Sequence, residues 1–264
     1  MSYLNDVLLG VIEGITEFLP ISSTGHLLLA EHWLGARSEM YNIVIQAGAI
    51  LAVTLIYWQR IMGLLLHWRD PENRDYLLKL LIAFLITAVL GLVVKKLGFG
   101  LPDTIQPIAW ALVIGGIWMI WAENYAAKLP DSAAITLRVA IAVGLAQILA
   151  GVFPGTSRSG ATIFVAMIVG TSNRAAATEF AFLVGIPTMY AASAYELIKQ
   201  VKDGTGAEDW TGLAIAFVVS TVTAFVAVKW LLGYIRSNRF TAFALYRIAF
   251  GGLLLALSAA GMIG

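Results

Sequence analysis

The sequence predicts an all-α polytopic membrane protein, with six transmembrane helices plus two re-entrant helix-loop-helix segments in an inverted repeat. Three observations predict it. The 264 residues are 59% hydrophobic and 12% charged, with a mean hydropathy of +0.83, whereas soluble domains carry about 25% charged residues. Six apolar runs are long enough to cross a bilayer. Two further apolar regions are each broken near the middle, and the two breaks align with one another.

A crossing helix needs about 20 apolar residues. The runs at roughly 40–58, 76–94, 106–123, 176–197, 211–233 and 242–263 meet that length. Residues 2–35 and 134–172 do not, because Pro, Gly and hydroxyl residues interrupt each of them. Each half is too short to cross, so each region reads as a helix–loop–helix that enters and leaves on one side. Irregular backbone at membrane depth must be buried in protein or line a polar cavity.

The breaks are Glu13-Gly-Ile-Thr-Glu17-Phe-Leu-Pro20-Ile-Ser22-Ser23-Thr24-Gly25-His26 and Gln147-Ile-Leu-Ala-Gly151-Val-Phe-Pro154-Gly155-Thr156-Ser157-Arg158-Ser159-Gly160. They align at a constant offset of 134, with Gly10 on Gly144, Glu13 on Gln147, Pro20 on Pro154, Ser22 on Thr156 and Ser23 on Ser157. Ala109, Val113 and Gly116 echo Ala244, Ile248 and Gly251 at offset 135. The chain is one membrane domain with repeat halves at about 1–125 and 134–264. Three spans follow each broken pair. Three is odd, so the second half starts from the opposite side and the halves are inverted.

Basic residues orient the chain. With both termini on one side, that side receives Arg37, Lys95, Lys96, Lys199 and Lys202. The other receives Arg60, Arg69, Arg74, Lys79, Lys128, Arg138, Arg174, Lys229, Arg236 and Arg239. The positive-inside rule puts the richer side in the cytoplasm and the termini outside. Trp58, Trp68 and Trp121 near span ends fit an aromatic belt. A net charge of +1 makes no case for nucleic acid, and the absence of cysteine excludes disulfides and thiolate metal sites. The N-terminus does not read as a cleavable signal.

Ionisable groups inside spans are costly and mark function. Helices are expected to restart from about Leu27 and Ala161. Ser and Thr favour such starts, and free N–H groups there attract anions. The tips thus present Ser22, Ser23, Thr24, Ser157, Ser159 and Arg158, whose planar fork suits phosphate. Gly25, Gly155 and Gly160 permit close approach. A plainer reading has the serines only capping helices and Arg158 pairing a glutamate. Glu13 and Glu17 share one helix face and suit a hard cation, Mg²⁺ or Ca²⁺, completed by substrate phosphate. Their plainer reading is a structural pair bonded to Arg158 or Arg247. His26, three residues beyond Ser23, is a candidate general acid/base or the activator of Ser23 as nucleophile. Arg247 offers a second phosphate contact or neutralises a glutamate. Glu179 is read as structural, and His32 and His67 receive no role.

The two broken segments resemble the signature motifs of the bacterial undecaprenyl pyrophosphate phosphatases of the bacitracin-resistance type. The patterns E-x-x-x-E (Glu13, Glu17) and P-G-x-S-R-S-x-x-T (Pro154 to Thr162) match without a departure, and the likeness covers the whole chain. The resemblance implies hydrolysis of undecaprenyl pyrophosphate to the monophosphate plus inorganic phosphate. It implies a divalent cation and a lipid-carrier substrate recycled for peptidoglycan synthesis. It adds Thr162 to the substrate-binding set and places the site on the outer side of the bacterial cytoplasmic membrane. Membrane lipids surround the chain, and a homodimer is a candidate assembly. The rival class is a secondary transporter or lipid flippase, because inverted re-entrant repeats also bind anions for transport. Whether Ser23 or water attacks phosphorus stays open, with the richness of the hydroxyl-and-His cluster favouring Ser23.

Overall fold

A computed structural model describes residues 3–97, 104–203 and 209–263. Residue 2, where the first broken segment was expected to begin, lies outside them. The described residues form eleven helices. These are α1 (Tyr3–Thr16), α2 (Ser23–Leu34), α3 (Glu39–Ile56), α4 (Trp58–Leu66), α5 (Pro71–Lys96) and α6 (Gln106–Ala126). There follow α7 (Leu137–Val152), α8 (Arg158–Gly170), α9 (Arg174–Asp203), α10 (Trp210–Tyr234) and α11 (Thr241–Ala259).

Local chemistry sets the boundaries. Ser38, Thr136, Ser157 and Asp209 cap α3, α7, α8 and α10 with their side-chain oxygens. Proline sits in the first turn of α5 and α6, where its missing N–H costs nothing. Both expected breaks are present: α1 stops at Thr16 before Pro20, and α7 stops at Val152 before Pro154. The helices restart earlier than expected, at Ser23 and Arg158 rather than Leu27 and Ala161. Ser22 and Ser157, both at positive φ (72° and 68°), occupy the N-cap positions, so the hydroxyl runs begin the helices instead of preceding them.

Among the described residues, five helices are long and apolar enough to cross a membrane: α3, α5, α9, α10 and α11. The helix α6, 21 residues long, covers the sixth expected run at 106–123 and is not among the five. Its ends carry Gln106 and Pro107 at one side and Glu123 and Asn124 at the other. α4 was not expected. It bends away from α3 at Tyr57 and leaves Trp58, Leu65 and Leu66 exposed, an amphipathic pattern suited to an interface.

The halves pack by exchange. α1 lies on α10, α7 on α5, and α6 on α11. Small residues permit these approaches. A Cβ on Gly10 would stand 2.6 Å from the Ala216 carbonyl, and one on Gly144, its repeat partner, 2.8 Å from the Ala83 carbonyl. The α6–α11 contact is reciprocal. A Cβ on Gly116 would stand 2.7 Å from the Ala244 carbonyl, and one on Gly251 2.7 Å from the Ala109 carbonyl. These are the residues of the offset-135 echo, so the weak sequence repeat marks one two-sided contact. The core around the tips is aromatic and aliphatic, with Phe18, Phe164, Phe180 and Phe182 buried in it.

Candidate active site

The two breaks meet. Helical hydrogen bonding continues past α1 from the Glu17 N–H to the Glu13 carbonyl at 3.0 Å, which keeps the carboxylates one turn apart. The chain then turns sharply at Leu19–Ile21 and enters α2 through Ser22. The second tip does the same through Gly155 (φ 93°) and Ser157. A non-glycine residue in this region costs about 1–3 kcal/mol and persists where the surroundings impose it. The shared conformation corrects the alignment. Ser22 corresponds to Ser157, not Thr156, and Ser23 corresponds to Arg158, not Ser157. The second tip carries one extra residue between its proline and its helix, so the offset slips from 134 to 135 inside the break.

Arg247 of α11 holds both tips. It is 1% exposed and donates to the carbonyls of Ala111 (3.2 Å), Gly155 (3.0 Å), Thr156 (2.9 Å) and Pro20 (3.4 Å). It contacts neither a glutamate nor the cavity, which corrects both expected roles. A guanidinium has five donors, and here they replace the backbone partners that two broken helices lack. Ser159 adds a direct tie between tips, donating to the Glu17 and Leu19 carbonyls at 3.3 and 3.2 Å.

A cavity of about 260 Å³ lies between the tips. Glu17, Ser22, Ser23, Thr24, Gly155, Ser157 and Arg158 line it. Ser23 Oγ donates to Glu17 Oε2 at 2.6 Å. Arg158 Nη2 binds the other carboxylate oxygen of Glu17. One buried carboxylate thus holds a hydroxyl from its own tip and a guanidinium from the other. It is placed to accept the proton of Ser23, and Arg158 is placed to bind an anion delivered to that hydroxyl. The start of α2 supplies an N-terminus facing the same space.

Other expected residues stand elsewhere. Thr162 bonds the Arg158 and Ser159 carbonyls (2.8 and 3.2 Å). It and Ser159 border a smaller void behind Arg158. His26 does not bond Ser23. Its Nδ1 lies 2.7 Å from the Ser22 carbonyl and its Nε2 2.7 Å from Tyr246 Oη. The ring stacks on Phe250 at 4.2 Å. Both ring nitrogens are thus engaged by the Ser22 carbonyl and Tyr246. Glu179 pairs with Arg60 at 3.0 Å away from the cavity.

A divalent cation, which the resemblance implies, fits the acidic pair. Both carboxylate oxygens of Glu13 are buried without a hydrogen-bond partner, and an isolated buried carboxylate is costly. Among the described residues no group of three His, Cys, Asp or Glu could hold a metal. Protein ligands alone would therefore not complete the shell, and phosphate and water oxygens would have to, as is common for Mg²⁺.

Gln46, Thr87, Gln147 and Thr188 also line the cavity and received no role from the sequence. Gln147 Nε2 donates to Thr87 Oγ1 at 2.9 Å. The available signal was a lone amide or hydroxyl within an otherwise apolar span.

Residues 6–253 match the family model described as bacitracin resistance protein BacA. The chain belongs to this family. The matched stretch contains every residue that lines the cavity, from Glu17 to Ala192. Relatives from Rhizobium etli and Rhizobium johnstonii are each 74% identical over 264 residues, covering all of both chains. One from Xanthomonas euvesicatoria pv. vesicatoria is 60% identical over 253 residues, 96% of each chain. All three bear the name undecaprenyl-diphosphatase.

Proposed function

We propose that the cavity between the tips is the active site of an undecaprenyl-diphosphatase. The protein is a membrane phosphatase that hydrolyses undecaprenyl pyrophosphate to undecaprenyl phosphate and inorganic phosphate. It recycles the lipid carrier for cell-wall synthesis, and bacitracin resistance fits the name of its family. The observation that carries the assignment of the site is the 2.6 Å contact of Ser23 with Glu17, on a carboxylate also bound to Arg158.

In this reading Ser23 Oγ attacks the terminal phosphorus. The bridging P–O bond breaks and undecaprenyl phosphate leaves. Glu17 takes the serine proton and passes it to the departing phosphate. Water then attacks the phosphoserine, giving its proton through Glu17 to Ser23 as the P–Oγ bond breaks. Arg158 exchanges Glu17 for the phosphoryl oxygens and neutralises their charge. Ser22, Thr24 and Ser157 line the phosphate path, with Gly155 keeping backbone close. Ser159 and Thr162 hold Arg158 and the tips in place, and His26 fixes α2. A cation held by Glu13 and Glu17 would supply further neutralisation of the pyrophosphate.

The membrane arrangement proposed is six crossing helices (α3, α5, α6, α9, α10 and α11) with α1–α2 and α7–α8 re-entrant from opposite sides. The exchanged packing and the reciprocal glycines support inverted halves of about 1–125 and 134–264. Loop charge supports termini on the outer side of the bacterial cytoplasmic membrane, and the family resemblance supports a cavity mouth on that same side. The expected homodimer is kept as a candidate assembly.

Phosphate release from polyprenyl pyrophosphate by detergent-purified protein tests the function, because transport cannot be scored there. Binding without release would favour a transporter. The Ser23–Glu17 contact argues against one, since moving an anion needs no acid on a serine hydroxyl.

A further inference from the structure

We propose that the polyprenyl chain of the substrate leaves the cavity over the C-terminal end of α7, across Ala150 and Gly151, and that Gly151 keeps this exit open for long chains. The proposal rests on the phosphatase reading of the same cavity.

The cavity lining is mixed. Beside the polar groups Ser23, Glu17, Arg158, Gln147 and Thr188 it includes the apolar Ala150 and Gly151 of α7 with Met189 and Ala192 of α9. Its volume, about 260 Å³, falls below the range of roughly 300–1,000 Å³ typical of pockets for drug-sized ligands. It can take a pyrophosphate headgroup and the first carbons of the chain, but not an undecaprenyl tail. The rest of the chain must pass out while its phosphate stays beside Ser23.

α7 supplies the route. Leu137, Ile141, Leu145, Leu149 and Phe153 are all exposed. They fall four residues apart and give α7 an apolar outer side, with Leu149 and Phe153 across the helix from Gly151. Gly144 and Gly151 lie two turns apart and so on one face. At Gly144 that face is shut, with the Ala83 carbonyl 2.8 Å from an added Cβ. At Gly151 an added Cβ meets nothing within 4 Å. Gly151 is exposed and lines the cavity. α7 therefore packs closely along α5 below and leaves open space beside its last turn. A tail running out there enters surroundings as apolar as a leucine side chain, so enclosing it in protein would gain nothing. The site then reads the headgroup, and the exit admits the chain.

The test compares Gly151→Leu and Gly151→Ala with the parent on two substrates. One is a long polyprenyl pyrophosphate; the other is dimethylallyl pyrophosphate, whose five-carbon chain need not leave the cavity. Gly151→Leu should lower kcat/KM for the long chain by at least about tenfold while leaving the short substrate within about twofold, and Gly151→Ala should stay near the parent on both. An unchanged long-chain rate overturns the exit. An equal fall on both substrates overturns it too, since Gly151 would then act on the fold or the headgroup. A parent that hydrolyses neither overturns the phosphatase reading and the exit together. A second measurement does not depend on the leucine variant folding. The protein has no cysteine, so Gly151→Cys carries one thiol. Undecaprenyl phosphate should slow its maleimide labelling and inorganic phosphate should not. Equal protection by both, or by neither, overturns the exit.

Discussion

Ser23 Oγ lies 2.6 Å from Glu17 Oε2 across the break between α1 and α2. The contact joins a residue that starts one helix to one just past the end of another. Between them, the backbone at Ser22 takes a positive φ of 72°. Glu17 rather than His26 therefore holds the proton of the candidate nucleophile.

Arg158→Lys keeps the charge and loses the fork. The guanidinium must reach Glu17 in the resting site and phosphoryl oxygens during reaction, and an ammonium offers no bidentate face. The expected loss is about 3 kcal/mol of transition-state stabilisation, roughly a hundredfold in kcat/KM. Steady-state kinetics check it, and a change under about twofold would remove Arg158 from the phosphate site.

Glu13→Gln tests the cation. Glu13 carries both unpartnered carboxylate oxygens, and a neutral amide is a poor ligand for a hard ion. The cation concentration for half-maximal activity should rise by about tenfold or more, with thermal stability unchanged or raised. Titration of the metal-stripped protein measures both, and an unmoved midpoint would contradict the role.

Arg247→Met should act on stability. It would leave the carbonyls of Ala111, Gly155, Thr156 and Pro20 without their donor. Unsatisfied buried groups cost about 1–3 kcal/mol each, and 1 kcal/mol shifts Tm by roughly 2–4 °C in chains of about this size. Thermal unfolding in detergent should show a clear fall. A catalytic loss at unchanged Tm would return Arg247 to the phosphate site.

His26→Gln separates two roles. A general base contributes about 10²–10⁴-fold. His26 bonds the Ser22 carbonyl and Tyr246 instead of Ser23. The loss should stay under about tenfold, and the pH–rate profile near neutrality should keep its shape. A flattened profile would mean that His26 titrates in the reaction.

Much of this architecture was legible in the sequence. Pro20 and Pro154, each within hydroxyl-rich runs, announced the broken helices. The offset between the runs brought Glu17 and Arg158 to one place across 141 residues. What was misread turns on backbone angles. The helix starts at Ser23, four residues earlier than expected, after a positive φ at Ser22, and Ser23 meets Glu17. The extra residue in the second tip shifted the repeat by one, so Ser23 corresponds to Arg158 and not to Ser157. Arg247 looked like a ligand for an anion, because spacing does not reveal that two broken helices leave carbonyls needing its donors. Thr87 and Gln46 were passed over because a lone polar residue in a long apolar run has no partner in sequence to give it meaning. α4 was missed because it follows α3 after a single residue, Tyr57.

The central claim is that Ser23 becomes phosphorylated. Rapid quench with substrate labelled in its terminal phosphate, followed by intact-protein mass measurement, tests it most directly. A phosphoserine should form within the first turnover at Ser23 and decay as inorganic phosphate appears. Ser23→Ala should bind substrate and lose at least about a thousandfold in rate. Substantial turnover by Ser23→Ala, with no labelled protein in the parent, would contradict the covalent route.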